Sequence, residues 1–111
     1  EFDRHLRVAR RLYRARRAAL VAALATELPE ARAMGAPGGV HAPVRLAEPF
    51  DAEALVAAAA ARDVGISPLT WFTAERTAVT DTLVLGYGDL TEPAIAEGVR
   101  RLAAALGEVR G

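Results

Sequence analysis

Apolar positions along this chain fall into helical stripes at both ends and alternating runs between them. The first stripe is Phe2, Leu6, Ala9, Tyr13, Leu20, Leu24 and Leu28, recurring at spacings of three, four and seven, in a segment free of Gly and Pro. That spacing keeps one side of a helix apolar, so one long helix with a buried stripe is predicted over about residues 3–28, ended by Pro29. Residues 29–39 read as a loop with a short strand at Arg32–Met34, punctuated by Gly35, Pro37, Gly38 and Gly39. Val40 to Leu46 then alternates: Val40, Ala42, Val44 and Leu46 face one way, and His41, Pro43 and Arg45 the other. This is the pattern of a half-buried strand, and Pro43, which donates no ladder hydrogen bond, predicts an edge position or a bulge.

Asp51 is suited to cap a helix running to about Arg62, with Phe50 and Leu55 at staple spacing and alanines from Ala57 to Ala61 favouring close packing. Gly65 lies past its end, a short strand is expected at Val64–Ser67, and an irregular stretch follows through Asp81. Thr82 to Tyr87 reads as a strand with Leu83, Leu85 and Tyr87 on one face. Thr91 caps the last helix, Pro93 sits in its first turn, and Leu90 and Ile95 repeat the staple spacing. Ile95, Val99, Leu102 and Leu106 form its buried stripe, and Gly107 is placed to close it.

The order is helix, short strand, strand, helix, short strand, strand, helix. The connections are too short for a doubly wound parallel sheet. An α+β fold is predicted instead: two layers, a small, mostly antiparallel sheet with helices packed on one face. The 111 residues form one domain, and no run approaches the ~20 apolar residues of a membrane helix.

Composition narrows the chemistry. All 14 basic residues are arginine; Lys, Cys, Asn and Gln are absent and Ser67 is the single serine. Without lysine there is neither a Schiff base nor a Walker phosphate loop, and without cysteine neither a thiol nucleophile nor a thiolate metal site. Nothing favours an oxidising compartment, so a cytoplasmic location is expected. The neutral total conceals an asymmetry. Residues 1–17 carry seven Arg against Glu1 and Asp3 (7 − 2 = +5), and residues 18–111 carry seven Arg against 12 acids (7 − 12 = −5).

A basic helix of this kind could neutralise phosphates, be a solvated face, or dock on an acidic partner; no base-reading motif accompanies it. His5 and His41 lie on separate elements with no carboxylate at ligand spacing, so no metal site is expected. Ser67 lacks a nucleophile elbow, and Gly38-Gly39 is not a phosphate cradle. The stretch Ser67 to Thr73 holds the single Trp and a Phe in an irregular segment, which reads either as a loop folded on the core or as a contact surface.

Four runs point to a family: RRLYRARRAALVAAL (Arg10 to Leu24), GGVHAPVRL (ending at Leu46), FDAEALVAAAAARDVGISPLTWF (Phe50 to Phe72) and TLVLGYGDLTEPAIAEGVRRLAAAL (Thr82 to Leu106). In this order and spacing they resemble the C-terminal small subdomain of fold-type I aminotransferases, and more closely the aminotransferase-like effector domain of MocR-type regulators of the GntR family. The resemblance covers nearly the whole chain. It implies a fragment of a longer protein; Glu1 in place of an initiator Met fits a fragment, a processed product or an engineered piece. It implies pyridoxal 5′-phosphate in the full-length protein, held by a large subdomain upstream, and DNA bound by a winged-helix domain further upstream. None of the cofactor-binding or catalytic groups is expected in this chain, and the whole protein is expected to be a homodimer.

The resemblance also places Leu69, Trp71, Phe72 and Val84 at the edge of the substrate or effector pocket. In the family an arginine at the position of Val84 clamps a substrate carboxylate bidentately. Valine leaves that clamp missing, which argues against ordinary transamination and suits a regulator. A genuine aminotransferase remains the alternative.

Overall fold

The computed structural model describes residues 2–34, 41–68, 79–87 and 90–111. Three helices and four strands follow in chain order: α1 (Phe2–Glu27), β1 (Arg32–Ala33), β2 (His41–Asp51), α2 (Ala52–Ala60), β3 (Ser67–Pro68), β4 (Val79–Gly86) and α3 (Glu92–Arg110). The strands form one sheet in the order β1-β2-β4-β3, antiparallel throughout. This is the predicted α+β, two-layer fold.

Alternation decides which face carries the core. Ala42, Val44 and Leu46 of β2 and Leu83 and Leu85 of β4, with Tyr87 just beyond it, are buried together with Leu20, Leu24 and Leu28, with Leu55, and with the α3 stripe Ile95, Val99, Leu102 and Leu106. All three helices therefore share one face of the sheet. Asp51 caps α2, its carboxylate accepting from the Ala54 amide at 3.0 Å, and Phe50 and Leu55 are both buried as a staple requires. Ala58 and Ala59 are buried along α2, which packs on α3. The α2 terminus turns on Asp63, which adopts φ 65°. The Val64 amide donates to the Ala59 carbonyl and the Asp63 amide to the Ala60 carbonyl, both at 2.9 Å. That is a Schellman closure, with Asp63 where glycine is usual.

Several expectations change. The α1 stripe is buried only from Leu20 onward; Phe2 is 73% exposed and Leu6, Ala9 and Tyr13 are only half-buried, because the N-terminal half of the helix runs past the body of the fold. The strand expected at Val64–Ser67 is Ser67–Pro68, since the Schellman turn occupies Val64. The stretch expected to be irregular through Asp81 is strand from Val79. Leu90 is 40% exposed, while Ile95 is buried. Helix α3 passes through Gly107 and ends at Arg110, capped by the Gly111 amide on the Gly107 carbonyl at 2.8 Å. Thr91 does cap its start, accepting from the Ala94 amide at 3.2 Å.

Pro43 is neither at an edge nor in a bulge. It lies in β2, an inner strand, opposite Val84 on one side, and the register shift falls later, between Arg45 and Phe50. The phase of the ladder explains the tolerance. The Pro43 carbonyl accepts from the Met34 amide at 2.7 Å. In an antiparallel pair the N and O of one residue point to the same side, so the missing N–H faces Met34 and not β4. The Met34 carbonyl it would have served accepts instead from Arg17 Nη2 at 3.1 Å. An arginine of α1 thus replaces the ladder bond that proline cannot donate.

Candidate sheet-face site

The face of the sheet opposite the core carries none of the described helices. Register places its side chains in rows. Arg32, Arg45 and Thr82 form one row; Pro43, Val84 and Ser67 the next; His41 and Gly86 the last. Val84 is half-buried at the centre of this face, between Pro43 and Ser67. Because the Pro43 N and O point toward β1, Pro43 and Val84 are a non-hydrogen-bonded pair, whose side chains approach closely. His41 lies across Gly86, its Cδ2 and Nε2 3.4 and 3.5 Å from the position a Cβ would take.

The electrostatics of the face are those of a cationic strip. Arg45 and Arg32 are exposed, and Arg45 Nε lies 3.9 Å from Asp81 Oδ2. The Thr82 hydroxyl, in a residue only 3% exposed, donates to Asp81 Oδ1 at 2.9 Å. Elsewhere the arginines support the helices. Arg62 pairs with Glu108 at 3.0 Å, Arg101 reaches the Arg62 carbonyl at 3.2 Å, and Arg110 donates to the Glu48 carbonyl. The Glu97 carboxyl is held below the usual carboxylate range, first by its hydrogen bond and charge interaction with Arg100 and then by Arg101.

A concavity of about 460 Å³ opens where the α2–β3 turn (Asp63, Gly65) meets the end of β4 and the first half of α3. Its walls include Leu20, Leu85, Ile95 and Val99, and its polar lining comes from Asp63, Glu97 and Arg101. Tyr87 borders it, yet the phenolic oxygen is buried and has no hydrogen-bond partner among the described residues.

Of the residues expected at a pocket edge, Val84 lies on the sheet face opposite the core, whereas Leu69, Trp71 and Phe72 lie outside the described residues. His5 and His41 sit on different elements, and among the described residues no three His, Asp or Glu side chains are grouped to hold a metal. Sequence reasoning missed the Arg32–Arg45 row. The alternation of β2 already put Arg45 on the Val84 face, but the register of β1 was needed to bring Arg32 beside it.

The chain matches no family model. It is 34% identical over 106 residues to the uncharacterized HTH-type transcriptional regulator YhdI of Bacillus subtilis, covering 95% of this chain and 22% of the regulator. Among solved structures it is similar to the α-aminoadipate aminotransferase LysN of Thermus thermophilus, with TM-score 0.85 and 34% identity over 98% of this chain and 28% of LysN. It is also similar to the multiple substrate aminotransferase of Thermococcus profundus, with TM-score 0.78 and 31% identity over 90% of this chain and 25% of that one. The kynurenine aminotransferase of Pyrococcus horikoshii gives TM-score 0.76 and 30% identity over 88% of this chain and 24% of that one. The chain thus spans about a fifth of the regulator and about a quarter of the aminotransferases. Its fold is that of the small domain of fold-type I aminotransferases, shared with a helix-turn-helix regulator.

Proposed function

We propose that this aminotransferase-like small subdomain is the C-terminal part of the pyridoxal-phosphate-binding effector domain of a GntR/MocR-like DNA-binding transcriptional regulator. The likeness to a helix-turn-helix regulator along 95% of the chain carries the reading. Val84 supports it: where the resemblance implies a carboxylate-clamping arginine, this face of the sheet offers an apolar side chain between Pro43 and Ser67. An α-carboxylate set against it would be desolvated without a partner.

This chain's residues do not fit a covalent seat for the cofactor, since none of the 111 is lysine. The cofactor, which supplies a reactive aldehyde toward amines when bound, would be held by the large subdomain, and operator DNA by a winged-helix domain. The chain's part is to form one wall of the cleft, with Leu69, Trp71, Phe72 and Val84 at its edge and no catalysis of its own. Ligand binding would change the closure of that wall, and a closure of this kind biases a linked DNA-binding domain.

The first half of α1 supplies the docking surface for the large subdomain. It presents apolar Phe2, Val8 and Leu12 to solvent. It also concentrates arginines near a helix N-terminus, where the macrodipole disfavours positive charge. An acidic, partly apolar surface would relieve both. The complete protein is a cytoplasmic homodimer in this reading.

A second reading, the small subdomain of a genuine pyridoxal-phosphate-dependent aminotransferase, is favoured by the solved relatives at 34, 31 and 30% identity, all aminotransferases. The test uses the full-length protein. Pyridoxal phosphate is titrated with absorbance as readout, promoter DNA binding is measured with and without amino acids, and amino-group transfer is assayed over a donor panel. Cofactor binding with ligand-dependent DNA affinity and no turnover is expected. Sustained transamination moves the assignment to the enzyme, and failure to bind the cofactor overturns both.

A further inference from the structure

The register of the sheet sets two arginines directly side by side on the face opposite the core. Arg32 is the cross-strand partner of Arg45, and Arg45 in turn faces Thr82. Directly opposed side chains share a face with Cβ atoms about 4.5–5.5 Å apart, and like charges so placed destabilise a sheet. A sheet that needed only stability would place a neutral or acidic residue at one of the two positions.

The nearby acid does not cancel the pair. Asp81 meets the Nε edge of Arg45 at 3.9 Å, and its other oxygen takes the Thr82 hydroxyl. Among the described residues no hydrogen bond or ion pair engages the two Nη groups of Arg45 or the guanidinium of Arg32. One row along the sheet, about 6.6–6.8 Å by strand rise, lie the apolar neighbours Pro43 and Val84.

We infer that Arg32 and Arg45 form a carboxylate clamp, with Pro43 and Val84 as the platform for the aliphatic part of the same ligand. The guanidinium fork matches a carboxylate bidentately. The adjoining apolar pair fits a ligand that is charged at one end and hydrocarbon at the other. An inorganic anion or a phosphate backbone would leave that apolar pair unused. The ligand class is therefore a small aliphatic carboxylate, including an amino acid with an apolar side chain. Only the identification of that ligand as an effector rests on the function proposed above. The clamp would supply, from two neighbouring strands, the carboxylate contact that Val84 does not.

The test is a titration of the 111-residue chain, followed by the Nε–Hε resonances of its arginines in NMR spectra. The probes are hexanoate, the uncharged isostere hexanamide, and inorganic phosphate. Hexanoate is expected to shift the Arg32 and Arg45 resonances saturably, and hexanamide to shift neither. Phosphate should bind more weakly than hexanoate at this pair. Arg45→Gln should weaken hexanoate at least tenfold, and Arg45→Lys, which keeps the charge but loses the fork, should weaken it by less. Amide spectra of both variants report that the sheet is intact.

The clamp is overturned if hexanoate affinity is unchanged in Arg45→Gln, if phosphate binds the pair as well as hexanoate does, or if the shifts concentrate on the α1 arginines. Its outcome is separable from that of the regulator proposal. Hexanoate binding at the pair in a protein whose full-length form binds no cofactor would leave the clamp standing and remove the regulator.

Discussion

Replacing Arg17 by Met keeps the aliphatic stem against the fold and removes the guanidinium that serves the Met34 carbonyl at 3.1 Å. A hydrogen bond to a charged donor contributes about 1.5–3 kcal/mol when fully desolvated. This one is part-buried, and solvent competes for the donor, so about 1–2 kcal/mol is expected of it here. Arg17 makes a further interaction besides this one, so the single substitution alone overstates the bond. A double-mutant cycle with Pro43 isolates it. Pro43→Val restores the N–H that points at the same carbonyl, and costs about 0.4–1 kcal/mol through the freer unfolded chain.

If Arg17 replaces the missing ladder bond, the new amide takes over when the guanidinium is removed. Arg17→Met should then cost roughly 1 kcal/mol less in the Pro43→Val background than in the native one. Urea denaturation of the four proteins, with a common slope, reads the coupling. Additivity within about 0.3–0.5 kcal/mol would refute the reasoning, because independent sites add to that precision. It would mean that Arg17 and Pro43 do not compete for one carbonyl, and that the tolerance of Pro43 has another cause.

Three further outcomes follow from particular side chains. Tyr87→Phe removes a buried hydroxyl with no partner among the described residues, so it should be neutral or stabilising in thermal denaturation, up to the ~1–3 kcal/mol cost of an unsatisfied group. A clear loss of stability would show that the hydroxyl has a partner. Asp63→Gly relaxes the left-handed residue of the Schellman turn and should raise the unfolding free energy in a urea melt by no more than about 1 kcal/mol, while Asp63→Val lowers it. The lowered Glu97 value means its pairing with Arg100 and Arg101 is present at neutral pH, above the unfolded carboxylate range, and lost as pH falls through the folded value. An NMR titration should give Glu97 an ordinary value in Arg100→Gln/Arg101→Gln. An unchanged low value would rule out the arginines as the cause.

What could be read from the sequence divides along a physical line. Helix α3 was legible because its stripe, its Thr91 cap and Pro93 are all local, and its apolar side is covered by this chain: Leu102 is 1% exposed. The faces of β2 and β4 were legible for the same reason, since period-two alternation needs no knowledge of the partner strand. Gly107 misled because a glycine is permitted at a helix end without being required there. The first half of α1 misled more deeply. Its stripe is genuine, yet periodicity reports that a face is apolar and not what covers it, and here Phe2 is exposed and Leu6, Ala9 and Tyr13 are only half-buried.

Pro43 and the two arginines show what a one-dimensional reading cannot contain. Whether proline is tolerated depends on which side its missing N–H faces, a property of the ladder phase and not of the residue. That Arg32 stands beside Arg45 depends on the pairing of a two-residue strand, too short to announce its register. Both facts arise between strands, and both bear on the face that carries Val84. Val84 sits one row from the Arg32–Arg45 pair. On the proposal above, recognition of a carboxylate falls to the Arg32–Arg45 pair, which only the register between strands brings together.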